Sequence, residues 1–348
     1  MSKATAPSAN IAVIAQRSDA DAALKQVIAL DLLDRGRKVV AKDGFVEIPI
    51  RRPHPNLQVV LQKEPVFYRG TPDLVSSLRE EMNSDQLHLL PRGWYILGDV
   101  IVVKIHPSLG HYQNRIGQAL LSFYPRCKAV LRDFGVEGQL REPVRELIAG
   151  AGTETLHREN GIQFRLDVEK IMFSPGNLPE RMRMSRFGEG EFVVDMFAGI
   201  GYFSLPMAVH SRPHRVMAIE LNPVAYDYLC ENIRLNRVEK IVQPILGDCA
   251  KKTPLGVADR VVMGMVQVTD RYLKKGIEAL RSGGILHYHQ TVPSWQYPDA
   301  AVNDVMKAAH LAGCRATIQR CIRVKKYSPG VVHAVVDARI DKDGSYRD

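Results

Sequence analysis

The residues most able to do chemistry are Asp195, Gly199, Gly201, Glu220 and Asp248. The stretch EFVVDMFAGIGYFSLPMA, beginning at Glu191, reads as a short apolar strand that ends on Asp195. A tight turn with Gly199 and Gly201 follows, and a helix opens at about Tyr202. A strand feeding a glycine turn and a helix brings backbone N–H groups and a positive helix end against a ligand. Glycine is needed there because a Cβ blocks close approach. The spacing is only Gly-x-Gly-x-x-Ser, so the turn does not name the ligand.

The strand ends narrow the choice. Glu220 closes the next apolar run, RVMAIEL, about 20 residues beyond the glycines, where a carboxylate accepts from ribose hydroxyls. Asp248 in ILGDC ends a third strand, where the edge of an adenine would lie, with the Cys249 backbone beside it. Acidic residues at successive strand ends indicate an adenosine-containing cofactor. A dinucleotide calls for a third glycine where Ser204 stands. S-adenosylmethionine carries no phosphate and makes no such demand.

The elements that position these residues alternate cleanly. PVAYDYLCENIRLN is a helix with Pro223 in its first turn. KIVQPIL and ADRVVMGMV are strands, DRYLKKGIEALR a helix and GGILHYHQTV a strand. The helix NDVMKAAHLAG leads to a closing hairpin, ATIQRCIRVKKY and GVVHAVVDARI. This pattern predicts an α/β doubly wound sheet with an antiparallel last strand, its ligand lying beyond the carboxyl ends of the strands. Upstream, the chain reads as a small α/β domain over residues 1–85 and an α+β, RNA-binding middle domain over 86–175. The catalytic domain then takes 176–348. Residues 1 to about 10 read as disordered.

The 348 residues are 45% apolar and 24% charged, an ordinary globular balance. No apolar run is long enough to span a membrane, and the first residues lack the apolar core of a signal peptide. Five cysteines without metal-type spacing suggest reduced thiols in a cytosolic protein and no metal site. The net charge of +9 is compatible with a polyanionic partner and equally with a merely basic enzyme.

SPGNLPER, DMFAGIGYFSLPMA, AIELNP, GD, GGILHYHQTV and YSPGVVHAVVD together resemble the tRNA wybutosine-synthesising protein 2 family, from about residue 90 to the end. The resemblance implies a Rossmann-like class I S-adenosylmethionine-dependent transferase domain preceded by smaller α+β domains. It implies transfer of the 3-amino-3-carboxypropyl group of S-adenosylmethionine to C7 of a tricyclic, 4-demethylwyosine-type base at position 37 of phenylalanine tRNA. The sister tRNA guanine-37 N1-methyltransferases share the fold, and the N-terminal segment resembles their first domain more weakly. They carry Ser-Pro-Arg-Leu where this chain has Ser174-Pro175-Gly176-Asn177, and Asn-Leu-Pro where it has Met263-Gly264-Met265. Both positions favour aminocarboxypropyl transfer over N1-methylation. A non-catalytic tRNA-binding protein is a third reading, which the intact Asp195, Glu220 and Asp248 set opposes.

The family's cofactor contacts fall on Ser174, Arg181, Glu220, Asp248 and Cys249, so the expected cofactor set is these five with Asp195, Gly199 and Gly201. Arg181 is expected to hold the methionine carboxylate through two parallel hydrogen bonds. Ser174 precedes Pro175 and so sits on an extended turn. No residue is assigned as proton acceptor. His287 and His289 share one side of a strand and read first as a packed pair, with His106, His157 and His333 structural or at the surface. Arg181, Arg183, Arg186, Lys325, Lys326 and the N-terminal domain are the expected phosphate contacts. Phe173 and Tyr202 could receive an unstacked base, although both residue types are more often core.

Overall fold

The strand Phe192–Asp195 lies inside a seven-stranded sheet. The sheet runs Val242–Leu246, Arg215–Glu220, Phe192–Asp195, Ala258–Met263, Leu280–Pro293, Val331–Asp341, Arg315–Ser328. The first five strands are parallel. Val331–Asp341 runs antiparallel between Leu280–Pro293 and Arg315–Ser328, as the terminal hairpin predicts. Helices cover both faces, which is why the central strands read as unbroken apolar runs: Val193, Val194, Val216, Ala218, Val261 and Val262 are fully buried. The strand order reverses between Phe192–Asp195 and Ala258–Met263, a switch point where α/β sheets place their ligands.

This computed structural model describes residues 10–34, 36–67, 73–138 and 140–342. The terminal stretch expected to be disordered falls, but for Asn10, outside them. The chain divides into two compact units, Met1–Ser77 and Leu78–Asp348. In the first, four antiparallel strands (Val40–Lys42, Phe45–Pro49, Ile11–Gln16, Val59–Leu61) form a sheet. Val27 of the helix Ala20–Ala29 packs there with Val13, Val46 and Ile48. Arg37, 4% exposed, donates to Asp34, Gln62 and the carbonyls of Ile11 and Ile50, which satisfies its buried guanidinium.

The second unit opens with a four-stranded sheet, Trp94–Leu97, Val100–Val103, Ala129–Glu137 and Glu142–Gly150. The hairpin turns at Gly98–Asp99, as read from the sequence, and the helix Gln113–Phe123 supplies the crossover between the parallel middle strands. A two-stranded hairpin, Glu154–Glu159 with Ile162–Asp167, follows. Where a domain boundary is expected near residue 175, the core is continuous. Leu97, Val100, Ala129 and Leu131 belong to one apolar cluster with Phe164, Phe173, Val193 and Ile200.

Candidate active site

A cavity of about 350 Å³ opens at the carboxyl ends of the parallel strands. Ser174, Arg181, Gly199, Glu220, Asp248 and Cys249 line it. Asp195 and Gly201 stand behind its wall. Asp195 is 1% exposed and accepts from Ser204 Oγ at 2.7 Å and from the Phe197 N–H at 3.3 Å, tying the strand end to the helix Ser204–His210. Burial pushes its carboxyl up to about 6. A Cβ on Gly201 would lie 2.5 Å from Leu205 Cγ, so this glycine lets the turn close on the core.

Gly199 has φ +55 and donates its N–H to Glu220 Oε2 at 2.7 Å, while the Asn222 N–H reaches Glu220 Oε1 at 2.7 Å. A carboxylate has about four lone-pair sites, so two backbone donors orient Glu220 and leave acceptor capacity for a ligand. Burial raises its pKa. Asn222 caps the helix Pro223–Leu235 through the Val224 N–H. Asp248 likewise caps the short helix Cys249–Lys252, its Oδ1 accepting from Ala250 at 2.9 Å. Burial pushes the Cys249 thiol up to about 12 and keeps it an inert wall group. At the fourth strand end, Gly264 and Met265 line the cavity. A Cβ on Gly264 would stand 2.5 Å from the Phe203 ring.

The opposite end of the cavity is basic. Arg181, 3% exposed, gives Nε and Nη2 to Glu159 Oε1 and Oε2 at 2.5 and 2.7 Å. Its Nη1 donates to the Ser174 carbonyl at 3.1 Å, and its guanidinium lies 4.6 Å from the Phe173 ring centre. The bidentate hold expected for a ligand carboxylate is therefore made with Glu159, whose place beside Arg181 no local pattern signals. Arg183 is also spent internally, on Glu180 and Asp337; both arginines are thereby removed from the expected phosphate contacts. Arg186 and Lys326 are exposed, and Lys325 lines the cavity with its Nζ 2.7 Å from Ser174 Oγ.

Phe173, 2% exposed, packs edge-on against Phe164 and Tyr202 as core. Tyr202 lines the cavity and donates its hydroxyl to the Met172 carbonyl, fixing the segment before Ser174. His287 is 1% exposed. Arg260 Nη1 donates to its Nε2 at 2.5 Å, so its Nδ1 carries the proton given to Asp337 at 2.6 Å. His289, 0% exposed, shares a hydrogen bond of 3.2 Å with His333 Nε2. His333, read as structural or surface, reaches the cavity wall. Burial lowers both to about 3, leaving neutral rings that are poor bases. Among the described residues, no group of His, Cys, Asp and Glu is arranged to hold a metal, and no helix is long and apolar enough to cross a membrane.

Residues 155–317 match the TRM5/TYW2 methyltransferase domain and residues 74–153 the TYW2 N-terminal domain. The tRNA(Phe) (4-demethylwyosine(37)-C(7)) aminocarboxypropyltransferase of Methanocaldococcus jannaschii is 42% identical over 71% of this chain and 97% of its own. That of Pyrococcus horikoshii is 38% identical over 78% and 97%. The tRNA (guanine(37)-N(1))-methyltransferase Trm5b of Pyrococcus abyssi is 33% identical over 91% and 94%. The crystal structure of P. horikoshii TYW2 in complex with MeSAdo superposes with a TM-score of 0.69 at 37% identity, covering 78% of this chain and all of that one. The P. abyssi Trm5b structure gives 0.75 at 32%, covering 95% and 99%. By these likenesses the chain belongs to the tRNA wybutosine-synthesising protein 2 family, the sister group of the Trm5 methyltransferases.

Proposed function

We propose that this protein transfers the 3-amino-3-carboxypropyl group of S-adenosylmethionine to C7 of a 4-demethylwyosine-type base at position 37 of phenylalanine tRNA, in the cytosol. The observation that carries this reading is the cavity's lining, with Glu220 and Asp248 in one part, where Arg271 also forms wall, and Ser174, Arg181 and Lys325 together in another. Such a cavity suits a ligand with a neutral, donor-rich nucleoside and a zwitterionic tail. The P. horikoshii and M. jannaschii relatives bear this activity in their names, which supports the same assignment.

S-adenosylmethionine would supply a sulfonium whose aminocarboxypropyl carbon can accept the ring carbon while the C–S bonding pair returns to sulfur, leaving 5′-methylthioadenosine, and the proton displaced from C7 passes to solvent. The protein's part is placement. Glu220 accepts from the ribose hydroxyls and Asp248 from the adenine amine. Phe197, Ala225 and Tyr272 supply apolar wall between them. Gly199, Gly201 and Asp195 hold the turn that presents these groups. Arg141, in the turn of the middle-domain hairpin, lines the cavity, and the exposed Arg186 and Lys326 are offered as phosphate contacts.

The decisive experiment supplies S-adenosylmethionine labelled in the methyl or in the carboxyl group, with tRNA bearing either the tricyclic base or plain guanosine. Carboxyl label entering the tricyclic RNA is the expected result. Methyl label entering guanosine-37 tRNA would convert the reading to N1-methylation, and no transfer of either label would leave a tRNA-binding protein. Affinity for tRNA should also fall steeply between 50 and 200 mM salt as counterions are released; a flat profile would remove the phosphate contacts.

A further inference from the structure

Among the described residues, no carboxylate pairs with the ammonium of Lys325. Arg181 is matched with Glu159, Arg183 with Glu180 and Asp337, and Arg145 with Asp133, while Arg141 donates to the neutral Gln267. The Nζ of Lys325 donates to Ser174 Oγ at 2.7 Å, and the charges that act on it most, Arg181 and Arg141, are both cationic. Partial burial and these two neighbours lower its pKa. A half-buried cation held among cations is unfavourable unless an anion joins it.

The local geometry suits a small anion. One of the three ammonium donors is used by Ser174, and two are left. The Ser174 hydroxyl accepts from Lys325 and so keeps its own proton to donate. Both side chains line the cavity. Gly176 adjoins them: a Cβ there would stand 3.4 Å from Lys325 Cδ and 3.5 Å from its Nζ, so glycine leaves the ammonium room to turn. The next residue, Lys326, is exposed and suits an external phosphate. Lys325 is set inside the cavity instead.

Resting on the reading of this cavity as the S-adenosylmethionine site, we propose that Lys325 and Ser174 together seat the α-carboxylate of the aminocarboxypropyl chain. Arg181, whose Nε and Nη2 are engaged by Glu159, supports the seat by holding the Ser174 carbonyl. Anchoring the carboxylate fixes the chain a few bonds from the carbon that is transferred, so Lys325 is a specificity-determining residue.

The test compares two ligands that differ in this chain and in the sulfur charge that its attachment creates. Isothermal titration measures S-adenosylmethionine and 5′-methylthioadenosine, which lacks the aminocarboxypropyl group, against wild type, Lys325→Met, Lys325→Arg and Ser174→Ala. Loss of a charge-assisted hydrogen bond predicts a fall of about 10- to 100-fold in S-adenosylmethionine affinity for Lys325→Met. Methylthioadenosine should bind all four within about twofold, which also reports that each variant is folded. Lys325→Arg should recover part of the loss. Equal losses for both ligands would overturn the seat, as would unchanged S-adenosylmethionine binding with weakened tRNA binding, which would make Lys325 a phosphate contact. Wild-type protein that binds neither ligand would overturn the cofactor reading and the seat with it.

Discussion

The two ends of the cavity are built by different means. At the acidic end each carboxylate ends or follows a parallel strand and is held by a backbone N–H two residues on, Glu220 by Asn222 and Asp248 by Ala250. At the basic end the partners come from afar: Arg181 meets Glu159 across 22 residues, and Lys325 meets Ser174 across 151. Local backbone geometry makes acceptors that are fixed before any ligand arrives. Long-range packing instead sorts cations into those matched internally, such as Arg181 and Arg183, and those with no carboxylate partner among the described residues, Lys325 and Arg141. The acidic end is thus suited to recognising what all adenosine ligands share, and the basic end to deciding what is attached to the adenosine.

The comparison breaks first at Arg181. If its fork is structural, Arg181→Met leaves the buried charge of Glu159, with a side chain 9% exposed, with only His157 beside it, 3.7 Å away. The expected cost is about 3–5 kcal/mol of stability, read as a lower denaturant midpoint. Adding Glu159→Gln should return much of it, because the stranded charge is then gone. A loss below about 1 kcal/mol, with collapse of S-adenosylmethionine affinity, would return Arg181 to the ligand.

Glu220 tests the other end. Glu220→Ala should cost about 2–3 kcal/mol of binding, roughly 30- to 150-fold, from lost charge-assisted hydrogen bonds. The loss should be the same for S-adenosylmethionine and methylthioadenosine, the reverse of the pattern expected at Lys325. Unchanged binding would refute the ribose role, and a loss confined to S-adenosylmethionine would erase the division between the ends.

That division also marks what could be read in advance. The parallel strands are legible because burial on both faces writes them as apolar runs, and Glu220 and Asp248 follow from their strand ends. Pro223 announces its helix from the first turn, and the structure adds Asn222 as its cap. The period of a strand puts His287 and His289 on one face, and their packed reading fits their burial. Their partners Asp337 and His333 lie on another strand, and no spacing rule reaches them. The same applies to Glu159: its hairpin is a local feature, but its alignment with Arg181 is a tertiary one. The α+β pattern before residue 175 and the α/β alternation after it suggest two domains, and residues on either side share one apolar cluster, a packing that element patterns do not reveal.

The smallest effect is a pH dependence set behind the basic end. His289 and His333 share one hydrogen bond, which needs a donor N–H on one ring and a bare nitrogen on the other. Burial first, then neighbouring positive charge, lowers both to about 3. Glu180 lies 3.7 Å from His289 Nε2, but Arg183 already engages its carboxylate. Between pH 6.5 and about 3 the unfolded chain therefore binds protons that the folded chain refuses, so stability falls as pH falls. At pH 5.5 each ring should cost about 1.4 kcal/mol relative to neutral pH. Asp195 opposes this: its carboxyl, pushed up to about 6, takes a proton when folded and returns under about 1 kcal/mol over the same interval. Asp337, lowered to about 2, changes only at more acid pH. His289→Gln should flatten the wild-type loss between pH 7.5 and 5.5 by about 1.4 kcal/mol while leaving the Asp195 contribution in place. Denaturation curves with parallel pH slopes in the two proteins would show that the pair is not kept neutral, and the basic end would then hold more positive charge than Lys325 and Arg141 supply.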